Sequence, residues 1–79
     1  MNLEGKYVTV TTQEECDAVQ KKAFELGYIW RENKRKMLVF FKAQYPVNLY
    51  FKDMTLTWMP ENIPVKGHIN IDTQTFLSL

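Results

Sequence analysis

TQEECDAVQKKAFELGYIW, residues Thr12 to Trp30, carries a complete helix signature and runs straight into a strand. The Thr12 hydroxyl is placed to cap the helix, and Glu15, three residues on, to return its carboxylate to the Thr12 amide as a capping box. Cys16, Val19, Ala23 and Leu26 recur at three- and four-residue steps on one stripe, with Glu14, Asp17, Lys21 and Glu25 opposite. Gly27 suits the left-handed residue that ends a helix, and Tyr28-Ile29-Trp30 reads as extended. A helix from Gln13 to Leu26 with one apolar face requires a sheet to cover.

That sheet is legible on both sides of the helix. Upstream, Lys6 to Val10 alternates, with Val8 and Val10 on one face and Tyr7 and Thr9 on the other. Downstream, Tyr28 to Arg31, the polar group Glu32-Asn33-Lys34-Arg35 and Lys36 to Lys42 predict a β-hairpin. Met37-Leu38-Val39-Phe40-Phe41 is apolar at both parities. It therefore predicts a central strand covered on both faces, or one whose outer face meets something else. Ala43 to Pro46 predicts a turn, since proline donates no hydrogen bond to a ladder. Val47 to Lys52 then alternates, placing Val47, Leu49 and Phe51 inward and Asn48, Tyr50 and Lys52 at or near water. A turn at Asp53 leads to a strand over Met54 to Met59, completing an antiparallel meander of three strands.

Pro60 to Gly67 reads as a loop crossing an end of the sheet. His68 to Ile71 is a brief extended piece, and Asp72 or Thr73 caps a last turn that docks Phe76, Leu77 and Leu79. The expected architecture is α+β, a β-α-β-β-β chain with one main helix on one face of a mainly antiparallel sheet and a short C-terminal helical turn. At 79 residues it is a single domain, 1–79, with a small core.

Composition narrows the function classes. Apolar residues make up 46% of the chain, which argues against disorder, and no apolar run approaches the roughly 18 residues of a membrane span. No membrane partner is expected. MNLEGKYV lacks the pattern of a secretory leader, so the expected setting is cytoplasmic. One His, one Cys and one Ser, at His68, Cys16 and Ser78, do not assemble a nucleophile with its base, and they fall short of a zinc ligand set. The glycines stand apart, so no phosphate-cradling loop is formed. The expected activity is non-enzymatic, with no cofactor and no metal. Cys16 on the apolar stripe reads as a buried thiol.

Two features remain that point to binding. Between Tyr28 and Lys52 lie Arg31, Lys34, Arg35, Lys36, Lys42 and Lys52 against Glu32 alone. Arg31, Lys34, Arg35 and Lys36 would form a basic hairpin tip beside Trp30, able to attract phosphates while the ring stacks a base. Such lysines and arginines also serve plain solubility at strand edges. The second feature is aromatic. One helix blankets one sheet face, so Tyr7 and Tyr50, with Lys52 beside them, would lie on an open face suited to a protein interface or to a homo-oligomer contact. The candidate binding set is thus Tyr7, Trp30, Arg31, Lys34, Arg35, Lys36, Tyr50 and Lys52.

Thr12-Gln13-Glu14-Glu15, Phe24-Glu25-Leu26-Gly27-Tyr28-Ile29-Trp30, and Ile69-Asn70-Ile71-Asp72 with Phe76-Leu77 give the chain a resemblance to small accessory proteins encoded by bacteriophages. Leu56-Thr57-Trp58-Met59 stands where such proteins often carry Tyr-Gly. The resemblance implies a binder, in the host cytoplasm, that inhibits or sequesters a host protein, an anti-defence role among the options. The alternatives are a nucleic-acid or nucleotide-signal binder and a self-assembling structural subunit.

Overall fold

Strand β1, Lys6–Val10, carries Val8 and Val10 fully buried on one face and Tyr7 and Thr9 half-buried on the other. The structure is a computed structural model describing residues 2–32, 34–63 and 65–79. Met1, Asn33 of the expected hairpin loop and Pro64 of the expected crossing loop lie outside the described residues. Helix α1, Gln13–Glu25, follows β1 directly. The Thr12 hydroxyl accepts from the Glu15 amide at 3.1 Å, while the Glu15 carboxylate returns to the Thr11 amide at 2.8 Å, one residue earlier than a capping box requires. Acidic Glu14 and Glu15 in the first turn complement the helix dipole.

The buried stripe of α1 is Cys16, Val19, Gln20 and Ala23. Gln20 therefore joins it, whereas Leu26, expected on the stripe, is exposed beyond the last turn. Gly27, at φ +95°, turns the chain into β2, Ile29–Trp30.

Strands β3, Val47–Lys52, and β4, Thr55–Pro60, form a hairpin whose two-residue turn places Asp53 and Met54 both at positive φ. That pairing of signs is the one that follows the strand twist. The Glu4 carboxylate accepts from both turn amides, at 2.8 and 3.3 Å. Strand β5, Ile69–Asn70, and helix α2, Thr73–Leu77, end the chain. Asp72 caps α2, Phe76 is fully buried against Phe51 at 5.3 Å, and the Lys22 ammonium donates to the Leu79 carbonyl.

The sheet order is β2-β4-β3-β1-β5. Its three central strands are antiparallel, β1 to β3 over five residue pairs and β3 to β4 over six. Both edge strands add in parallel, β2 to β4 and β5 to β1. Parallel neighbours require crossovers, and the chain makes two. From β1 to β2 it crosses as α1, over the face carrying Val8, Leu49 and Leu56. From β4 to β5 it crosses back the other way as the loop after Pro60, and His68 from that crossing packs edge-on to Tyr50 on the opposite face. Two crossovers in opposite directions share one hand only if they lie on opposite faces, so a uniform handedness sends the loop across the face that α1 leaves free.

The expected meander is corrected in one strand. Residues 36–41 form no strand, and the chain passes through a single 3-10 turn, Lys42–Gln44, before β3. Trp30 and Lys34 do exchange both backbone hydrogen bonds, at 2.8 and 3.0 Å, closing a tight turn. The hairpin stops there, and the central strand is β3. Residues 37–41 lie over the helix-side layer instead, with Phe40 buried edge-on to Trp58 at 4.9 Å.

Candidate functional site

The sequence-derived binding set divides by burial. Trp30 is 3% exposed, with its indole N–H donating to Gln20 Oε1 at 2.9 Å, so it is a core residue and not a stacking platform. Tyr50 is likewise 3% exposed, where an outward ring was expected. It sits beneath Tyr7 at 5.0 Å and His68 at 4.9 Å, and its hydroxyl accepts from Asn48 Nδ2 at 3.2 Å. Asn48, also expected near water, is buried and accepts from the Thr9 hydroxyl at 2.6 Å. The loop crossover explains both corrections: alternation identifies which residues share a face, but a returning loop decides whether that face is wet. Tyr7 is half-buried beside Tyr50, and Lys52 is exposed at the end of β3. Arg31, Lys34, Arg35 and Lys36 are all exposed at and after the tight turn, so the basic cluster forms without its aromatic partners.

The two most exposed large apolar side chains among the described residues follow that cluster in the chain. Val39 is 79% and Phe41 81% exposed, and Met37 is just exposed at 37%, while Leu38 and Phe40 between them turn inward. This period of two is that of an extended chain. What holds it is a pair of glutamines on α1. Gln20 Nε2 donates to the Leu38 carbonyl at 3.0 Å and Gln20 Oε1 accepts from the Leu38 amide at 2.7 Å, as the backbone of a neighbouring strand would. Two turns earlier, Gln13 Oε1 accepts from the Phe40 amide at 3.1 Å and from the Tyr45 hydroxyl. Phe41 N donates to Gln44 Oε1 at 2.7 Å.

These glutamines carry the site's geometry, and sequence reasoning passed over both. The available signal was Gln20 itself, a polar residue inside the apolar arc between Val19 and Ala23. A buried amide that is fully hydrogen-bonded organises its surroundings, since each unmet partner costs about 1–3 kcal/mol.

Beside the segment, Gln44, Tyr45, Pro46, Trp58, Pro60 and Glu61 line an open cleft of about 390 Å³. Burial pushes the Tyr45 hydroxyl up to about 12, with the adjoining Cys16 adding to the shift. Cys16 is fully buried and accepts from Gln20 Nε2 at 3.3 Å. Burial pushes its thiol up to about 11, against the lowering effect of the neighbouring Tyr45 and Gln20 side chains, so at neutral pH it is a protonated thiol. Among the described residues, no cluster of three or more His, Cys, Asp or Glu is placed to hold a metal ion, and no helix is long and apolar enough to cross a membrane. No family model, curated protein or solved structure matches the chain.

Proposed function

We propose that this chain is a non-enzymatic accessory module that binds a protein partner through Met37, Val39 and Phe41 together with the adjoining cations Arg31, Lys34, Arg35 and Lys36. One observation carries the reading: Val39 and Phe41 are about four-fifths exposed in a segment whose alternate residues are firmly anchored. Isolated exposed apolar residues are ordinary, but three at period two on a held backbone form a contiguous surface of the kind that marks interaction sites. Aromatic anchors and arginines supply most interface energy, and surrounding charge raises the association rate. That the partner is a host factor, inhibited or sequestered in the cytoplasm, draws on the resemblance to phage accessory proteins. The nucleotide-binding alternative loses support because Trp30 and Tyr50, its stacking rings, are buried.

The test is affinity capture from bacterial lysate with the intact chain and with the double variant Val39→Asp/Phe41→Asp. Both positions are exposed, so the variant should melt within a degree or two of the parent. The expected result is a stoichiometric protein partner, reconstituted with purified components and lost in the double variant. Retention of that partner by the double variant, or salt-sensitive binding of single-stranded nucleic acid in its place, would overturn the proposal.

A further inference from the structure

The same segment offers a backbone edge as well as side chains. In an extended chain, alternate residues direct their amide and carbonyl groups to opposite edges. Leu38 and Phe40 direct theirs toward α1, where Gln20 and Gln13 meet them. Met37 and Val39 point theirs the other way, and among the described residues their N–H and C=O groups make no intramolecular hydrogen bond. Such an edge is a template for strand pairing.

From this edge we infer that residues 37–41 accept an extended, acidic segment of a partner protein by β-strand addition, an inference that rests on the binding reading above. Main-chain pairing would run along Met37 and Val39. The outward side chains of Met37, Val39 and Phe41 would meet the partner's residues at the same two-residue spacing. Charge selects the occupant. Lys36 and Lys42 bracket the segment, and Arg31, Lys34 and Arg35 extend the positive field from one end. A second copy is disfavoured in the register that pairs the whole segment: antiparallel self-pairing centred on Val39 sets Lys36 opposite Lys42 twice, and like charges directly opposite are destabilising. Acidic residues flanking apolar ones satisfy both ends at once.

The probe is a blocked eight-residue peptide of alternating glutamate and valine, titrated into the intact, 15N-labelled chain. Two controls accompany it, the lysine–valine counterpart and a glutamate–valine peptide N-methylated throughout. The expected result is binding that shifts the resonances of residues 36–42 and slows exchange of the Val39 amide. Affinity should fall at least tenfold in each control and with Val39→Asp/Phe41→Asp. Absence of binding, shifts elsewhere on the chain, or equal affinity for the N-methylated peptide would overturn strand addition. Equal affinity for the lysine–valine peptide would overturn the acidic partner. If the peptide fails while the lysate partner still depends on Val39 and Phe41, the strand mode alone falls. Loss of both dependences overturns the binding reading too.

Discussion

Gln20 shows how one residue converts a sequence pattern into a surface. Its amide meets the Leu38 N–H and C=O and the Trp30 indole together, so the segment that reads as a strand needs no strand beside it. Gln20→Leu preserves volume and strands those three partners. It should lower stability by about 2–4 kcal/mol in chemical denaturation, whereas Val39→Asp should stay within about 0.5 kcal/mol. Equal losses would contradict the assignment of inner and outer residues. At Cys16 and Tyr45 the expectation concerns pH. Both groups have raised pKa values in the folded state, to about 11 and about 12 from ordinary values of 9.0 and 10.0. In that window the unfolded chain has released protons that the folded chain still holds, so the slope of stability with pH is negative. Their contribution is complete below about pH 9 and is lost as pH rises through about 11 to 12. Urea titrations at pH 7, 9 and 10.5 check the sign, and flat stability up to pH 10.5 would contradict it.

Elements with strong local signals were legible. Strand β1 and β3 occupy the residues their alternation indicates, α1 begins one residue after Thr12, and α2 forms where Asp72 caps it. Residues 36–42 do not form the strand expected there: apolar content at both parities fits a buried strand and an extended segment with one anchored edge equally well. The difference is made by Gln13 and Gln20, more than fifteen positions away. The Asp53–Met54 turn carries another local prediction. A non-glycine residue in the left-handed region costs about 1 kcal/mol, and Met54 sits there at φ +61° while nearly half exposed. Met54→Gly should therefore raise the melting temperature by a few degrees. A clear decrease would mean that the Met54 side chain, 3.2 Å from the position a Gly27 Cβ would take, matters more than its backbone.

At the scale of the molecule, the helix covers one sheet face and the loop after Pro60 returns over the other, which is why Tyr50, expected on an open aromatic face, is buried beneath Tyr7 and the loop's His68. Sequence alternation could assign Tyr50 to that face but could not foresee the returning loop, because a connection's path depends on strand order. What stays open is the layer edge formed by residues 37–41, flanked by the basic turn. The α+β class, the exposed basic residues and the apolar run at 37–41 were therefore readable in advance, and which edge of that run is anchored was not. The central claim is that this segment is anchored on one edge and free on the other, and amide hydrogen exchange of the unbound protein tests it most directly. The Leu38 and Phe40 amides should be protected and Val39 should exchange at close to the rate of an unstructured chain, with Leu38 protection lost in Gln20→Ala. Protection of Val39 equal to that of Leu49 in β3 would restore a paired strand and contradict the account.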